Sequence, residues 1–268
     1  MAPTVLITGA SQGIGKATAL LFARQGYNLI LAARHAEPLE AVAQEIQQLD
    51  RSALSVPTDV KDSEQVKTLV QKALDHYGAV DVLINNAGIY VSGPVEQFSL
   101  EDWHNTIDLN FWGYIHTIQT LLPHFLARGS GTIVNISSIG GKVPLPYVTP
   151  YCASKFAITG LTKSLHAELS PKGIQVCGIY PNLIKSDFME RAIFRGQDDK
   201  NAQARRDQLN MILKAPVVEK PEDVAKAIWD AVEHKKPEVL VGSANLGATV
   251  NRVFPGLMQW FFRQSQKL

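Results

Sequence analysis

Two cysteines in 268 residues, Cys152 and Cys177, leave no material for a disulfide framework. Neither belongs to a CxxC pair, and the seven histidines show no HxxxH or HxH spacing, so no metal site is indicated. Both thiols read as reduced groups of the core. Excess charge is missing too. The 26 basic and 25 acidic side chains nearly cancel, which argues against the basic stripe of a nucleic-acid binder. No run of 18 apolar residues is present to span a bilayer. Met1-Ala2-Pro3 passes straight into an apolar segment without a basic leader or cleavage site, so cytosol is the expected compartment. With 46% apolar and 19% charged residues the composition also excludes a disordered chain.

Regular alternation of short apolar runs and amphipathic stretches is what the chain does have. Strands are expected over residues 4–8, 28–33, 53–58, 82–85, 132–136, 174–179 and 238–241, with helices over 14–25, 37–49, 63–77, 100–127, 151–170 and 221–234. The strands are continuous apolar runs, which suits strands covered on both faces of a parallel sheet. The expected fold is therefore α/β, a doubly wound parallel sheet of about seven strands with helices on both faces. No linker or repeat divides it, and a single domain spanning residues 1–268 is expected. Two segments break the alternation. Residues 185–214 are polar and charged, the kind of long connection that serves as a substrate-covering lid. Residues 253–268 form an apolar tail with Phe254, Leu257, Met258, Trp260, Phe261 and Phe262.

The first strand ends in Thr8-Gly9-Ala10-Ser11-Gln12-Gly13-Ile14-Gly15 and enters a helix directly. Glycines at a strand-to-helix turn let the backbone close on a pyrophosphate, and the helix start offers free N–H groups and partial positive charge. The second strand ends at Ala33-Arg34 where a carboxylate for the ribose 2′-hydroxyl would stand in an NAD enzyme. A guanidinium there pairs with a 2′-phosphate, so NADP(H) is expected. Asp59, followed by Val60, is placed to accept a hydrogen bond from the adenine amine. Asn85-Asn86-Ala87-Gly88 offers small residues for close approach and amides that tie strand ends together.

Tyr151 and Lys155 lie four apart near a helix start and share one face, and Ser138 follows the strand over 132–136. Ligands of open α/β sheets bind at that carboxyl edge. Carbonyl reduction needs a proton donor for the oxygen, and a phenol near pKa 10 needs tuning to serve at neutral pH. Tyr151 is the expected acid, Lys155 the cation expected to lower its pKa, and Ser138 a donor to the substrate oxygen.

Together the glycine loop, Asn85-Asn86-Ala87-Gly88, Ser138 and Tyr151-x3-Lys155 make the chain similar to the short-chain dehydrogenase/reductase family, in its compact single-domain, Rossmann-type branch. The likeness runs from about residue 3 to 185. It implies that Asn110 is a fourth catalytic residue, organising a water that relays protons to Lys155, and that Lys155 binds the nicotinamide ribose. It implies cofactor contacts at Gly9, Ser11, Gly13, Ile14, Gly15, Arg34, Asp59, Val60, Asn86, Ala87, Gly88, Tyr151, Lys155, Pro181 and Ile184. A homodimer or homotetramer packed through the 100–127 and 151–170 helices is implied as well. One departure is Pro181-Asn182, where the family has Pro-Gly; Asn tolerates left-handed backbone, and Ser186 offers the hydroxyl of the family's threonine.

Val143, Leu145, Pro146, Tyr147 and Phe188 suggest an apolar pocket for a ketone or aldehyde, or the corresponding alcohol, of lipid-like character. The tail has two readings: a helix lying on a membrane, or a face packed on the chain's own core or a partner subunit. Two rival functions remain, a non-catalytic cofactor sensor of the same fold and a sugar-nucleotide epimerase or dehydratase.

Overall fold

The computed structural model describes residues 2–185, 191–214 and 218–242, with Ala244, Thr249, Asn251, Val253, Phe254, Gly256, Trp260, Phe262 and Gln264. Seven strands pair in parallel in the order β3-β2-β1-β4-β6-β7-β9. They are β1 (Thr4–Thr8), β2 (Asn28–Ala33), β3 (Ala53–Pro57), β4 (Val82–Asn85), β6 (Gly131–Ile136), β7 (Ile174–Tyr180) and β9 (Glu238–Leu240). Successive side chains of a strand point to opposite faces. Val5 and Ile7 thus join Phe22, Leu39, Ile46 and Ile228 under α1 (Gly13–Arg24), α2 (Ala36–Gln47) and α8 (Pro221–Glu233). Leu6 points the other way, to Leu69, Tyr114, Leu121, Phe125 and Ile158 under α3 (Ser63–Tyr77), α5 (Gly113–Arg128) and α6 (Thr149–Leu169). Both faces are covered, which is why these strands read as unbroken apolar runs.

The winding reverses between β1 and β4, leaving a crevice at the carboxyl ends of the strands. Chain geometry aims functional groups at that edge. The stretch expected as one helix over 100–127 is α4 (Leu100–Ile107), a π-helical turn (Asp108–Trp112) and α5. Asn110 lies fully buried within the π turn, a local widening often found at functional positions.

The region expected as a polar connection contains two further elements. β8 (Ile193–Phe194) pairs in parallel with β5 (Val91–Ser92), and α7 (Asp199–Leu213) follows. Leu213 is the sole buried residue of α7, so the helix carries little apolar periodicity; Asp198 caps its start by accepting the Asn201 N–H at 2.7 Å. The base of this segment is pinned by Arg195, whose Nε and Nη2 donate to Asp102 at 2.9 and 2.6 Å. Asp102 is buried and also closes the capping box of α4 with Ser99. No helix among the described residues is long and apolar enough to cross a membrane.

The hydrogen bond from Arg195 is the main cause holding the Asp102 carboxyl below its ordinary value. Its stabilising contribution is therefore present above the unfolded carboxyl pKa of about 3.9 and is lost as pH falls through the lowered folded value. Arg195→Met strands a buried carboxylate, but the guanidinium is 43% exposed, so solvent screening trims the loss to about 1–2 kcal/mol at pH 7. Urea denaturation should show that deficit from pH 8 to 5 and a narrowing gap below about pH 4. Equal stability of the two proteins at pH 7 would contradict the clamp.

Candidate active site

Strand β1 ends in a turn that needs glycine. Gly9 has φ +66°, a left-handed conformation. A Cβ on Gly15 would lie 2.2 Å from the Gly9 carbonyl oxygen and 2.7 Å from Asn86 Nδ2, so the first turn of α1 packs directly on the loop. Gln12 at the head of α1 makes no side-chain cap and no acidic residue stands in the first turn. The free N–H groups and positive end of the helix dipole are left for a ligand. This cradle fits a dinucleotide pyrophosphate.

Buried polar side chains lace the neighbouring strand ends together. Thr8 Oγ1 accepts the N–H groups of Asn86 and Ala87 at 3.0 and 3.1 Å, while Asn86 Nδ2 donates to the Thr8 carbonyl at 2.9 Å. Asn85 donates to Asn135 Oδ1 at 3.0 Å across β4 and β6. Thr117 of α5 donates to Asn85 at 2.6 Å, and Asn135 donates to Thr162 of α6 at 3.0 Å. The amides thus bind strand ends as the sequence suggested; the threonines gave no signal, because Thr is common in buried strands and helices alike.

Ser138, Tyr151 and Lys155 meet just beyond this lacing, all three buried. Ser138 Oγ accepts the Gly140 N–H at 3.1 Å, and the Ser138 side chain faces the Tyr151 phenol. Lys155 Nζ donates to the Ile136 carbonyl at 2.8 Å; the same oxygen accepts the Tyr114 hydroxyl at 3.1 Å. Lys155 Nζ lies 5.8 Å from the Tyr151 ring centroid. The expected lowering of the Tyr151 pKa by this cation is not what the structure gives. Burial dominates and pushes the phenol above its ordinary value, with Ser138 opposing it. Burial likewise pulls Lys155 down to about 7. At neutral pH the tyrosine is a neutral donor, and the lysine is poised between its two forms.

Almost the whole expected set lines one cleft of about 530 Å³: Gly9, Ser11, Gly13, Ile14, Arg34, Asp59, Val60, Asn86, Ala87, Gly88, Ser138, Tyr151, Lys155, Pro181 and Ile184. Gly15 and Asn110 stand behind it. The Asn110 amide donates to the Ile89 carbonyl and to Ser154 Oγ, both at 3.0 Å, and its Oδ1 accepts the Ile89 N–H at 2.8 Å. Both donors are committed, so any water it organises falls to the remaining acceptor capacity of Oδ1 or to its backbone. Arg34 is exposed at the rim and has no side-chain partner among the described residues. Asp59 also keeps acceptor capacity, one carboxylate oxygen taking the Lys61 N–H at 3.0 Å.

Two local expectations need correction. Tyr147 is not part of the lining: at φ +64° its backbone is left-handed, and its ring lies under the Arg205 guanidinium at 4.3 Å. Asn182 lines the cleft without left-handed geometry, so the turn after Pro181 does not call on the tolerance that glycine or asparagine would supply. Val143, Leu145 and Pro146 do line it, joined by Leu183, Leu209 and Phe262, whose roles depend on tertiary folding. Phe262 packs on Ile139, Val143 and Ala244, whereas Val253, Phe254 and Trp260 are exposed. Ser186, Phe188, Leu257, Met258 and Phe261 lie outside the described residues. No group of three or more His, Cys, Asp or Glu among the described residues is arranged to hold a metal ion.

A parallel sheet with a phosphate cradle and a Ser-Tyr-Lys cluster at its switch point defines a dinucleotide-dependent oxidoreductase. Residues 3–196 match the short chain dehydrogenase family, and the chain belongs to it. It is 37% identical over 191 residues to the 3-oxoacyl-(acyl-carrier-protein) reductase FabG of Staphylococcus aureus, covering 71% of this chain and 78% of that one. It also resembles a short-chain dehydrogenase/reductase of Burkholderia phymatum in complex with NAD (TM-score 0.88, 26% identity, 96% of this chain and 95% of that one). A short-chain dehydrogenase of Sphingobium yanoikuyae in complex with NADPH is similar as well (TM-score 0.78, 29% identity, 96% and 95% covered). A nicotinamide cofactor is thus common to these structural neighbours, in both its phosphorylated and unphosphorylated forms.

The Gly15 contact yields a direct test. Gly15→Ala should lower stability by about 1–3 kcal/mol through overpacking and weaken dinucleotide binding at least roughly tenfold. Thermal melting and fluorescence titration with NADH and NADPH measure both. Wild-type values for each would contradict the contact.

Proposed function

We propose that this oxidoreductase interconverts a ketone or aldehyde and the corresponding alcohol with NADP(H), on an apolar, lipid-like substrate. The observation that carries the reading is the meeting of Ser138, Tyr151 and Lys155 in the same cleft as the uncapped start of α1 and Arg34. The reduced nicotinamide, when bound, supplies hydride to the carbonyl carbon. Tyr151 Oη gives the proton to the carbonyl oxygen, and its raised pKa keeps that proton in place until charge develops on the substrate. Ser138 donates a hydrogen bond to the same oxygen as it becomes anionic. Lys155 holds the nicotinamide ribose hydroxyls and, when protonated, favours the phenolate that Tyr151 becomes. Asn110 fixes Ile89 and, through Ser154, the helix that carries Tyr151 and Lys155.

Arg34 supports the phosphorylated cofactor. It is an uncommitted cation at the end of β2, and no carboxylate precedes it there. The cleft beyond Tyr151 is apolar, formed by Tyr90, Val143, Leu145, Val148, Leu183 and Leu209. An acyl-chain carbonyl fits that lining, in keeping with the name of the FabG relative. The chain works as a single domain, the 185–214 segment covering the substrate. Assembly as a homodimer or homotetramer through α4, α5 and α6 is supported by Trp112 and Phe156, which are 48% and 41% exposed on that side of the molecule.

A panel of ketones with NADPH, followed at 340 nm, tests the activity; no turnover with any carbonyl would reject it. Arg34→Leu tests the cofactor. The NADPH KM should rise about 10–100-fold, the cost of a charge-assisted pair, while the NADH KM changes by less than about threefold. Equal effects on the two would reject the preference for NADP(H).

A further inference from the structure

We propose that Tyr90 is a positioning residue for Tyr151, and the point at which the segment covering the cleft acts on the reacting group. The inference rests on the reading of Tyr151 as the acid. Tyr90 lines the cleft, and its ring meets that of Tyr151 edge-on, with centroids 5.1 Å apart and planes at 61°. Such a contact has a preferred geometry, so it restricts the sideways excursion of the partner ring. The Tyr151 ring is held by packing, in a buried cluster with Val91, Val148 and Cys152 on which Tyr90 also packs.

Tyr90 is fixed tightly enough to do this. The preceding residue, Ile89, has its N–H and its carbonyl both bonded to the buried Asn110 amide, at 2.8 and 3.0 Å. The carbonyl of Tyr90 accepts the Ile193 N–H at 3.0 Å, where β5 and β8 pair. Its hydroxyl lies on the side of Ser92, the second residue of β5, which opposes the upward shift that burial gives the phenol. Burial still raises the Tyr90 phenol to about 12.

The covering segment, which lines the cleft through Arg191 and Leu209, also reaches Tyr90. Phe194 of β8 lies 6.4 Å from the Tyr90 ring, and the Arg206 guanidinium of α7 caps Phe194 at 5.1 Å. Arg195, the next residue after β8, is the one clamped to Asp102. A continuous set of contacts therefore runs from α4 and α7 through β8 to Tyr90, and from Tyr90 to Tyr151. The proposed mechanism gives Tyr90 no chemical step; Ile193 of β8 packs on the same apolar cluster as Tyr90 and Tyr151, so the covering segment borders the ring pair directly.

Full-length Tyr90→Leu and Tyr90→Phe proteins, assayed with NADPH and a ketone that the wild type reduces, test the role. Removing the ring should lower kcat roughly tenfold or more, the cost of a misplaced acid, with the NADPH KM unchanged. Tyr90→Phe keeps the ring and should recover most of kcat, which a role for the hydroxyl would not allow. Tyr90→Met is read in the same way if the leucine protein does not fold. Wild-type kcat in the ringless variants overturns the proposal, as does a phenylalanine variant no better than leucine. A rise in the carbonyl KM with kcat intact also overturns it, because Tyr90 is then a wall of the pocket and nothing more. If the wild type itself reduces no carbonyl, the functional reading fails; wild-type turnover with unimpaired ringless variants fails only the positioning role.

Discussion

Three strand ends, β1, β4 and β6, are held in register at the carboxyl edge by buried side-chain hydrogen bonds, and the site depends on that lacing. Thr8 satisfies two consecutive backbone N–H groups of the Asn86-Ala87 turn, and Asn85 bridges to Asn135. A parallel sheet leaves backbone polar groups unpaired where its strands stop, and burying them unpaired would be costly. Here threonine and asparagine satisfy them while keeping the surface low enough for a nucleotide to lie on it. Because Thr117 and Thr162 extend the same network into α5 and α6, the helix that carries Tyr151 and Lys155 is tied to the strand ends beside the cofactor cradle. A fully satisfied buried network of this kind rigidifies what it connects.

On that frame the chemistry is set by burial. Lys155 and Tyr151 are both withdrawn from water, and both are pushed towards their neutral forms. For an acid that must release its proton only when the substrate oxygen turns anionic, a raised pKa is a suitable starting point. Lys155 is kept soluble in the interior by the Ile136 carbonyl, a strand-end oxygen that it shares with Tyr114. Its pKa near 7 makes its charge responsive to whatever anionic group enters the cleft, since a nearby negative charge favours the ammonium form.

The sequence made the sheet legible because each central strand is an apolar run between helices of clear amphipathicity. The glycine loop and the Ser138, Tyr151 and Lys155 cluster were legible because their chemistry restricts the residue type. Other parts carried no such mark. Helix α7 buries one residue, Leu213, so it lacks the periodicity by which helices are read. The two-residue strands β5 and β8 are too short to show a period, yet they bring Tyr90 to Tyr151. Tyr147 looked like a pocket residue by composition, and a left-handed backbone turned it away. Burial sets the direction of the Tyr151 pKa shift, and it depends on the packing of Tyr90, Val91, Val148 and Ile193 around the ring, not on which residues stand four apart.

Tyr151 as the proton donor is the central claim, and the Tyr151→Phe protein tests it most directly. NADPH oxidation at 340 nm with a ketone that the wild type reduces is the measurement, paired with fluorescence titration of NADPH binding. Loss of turnover by roughly a hundredfold or more with binding retained is the expected result, in the range of a general acid's contribution. Undiminished turnover in that protein would contradict the account.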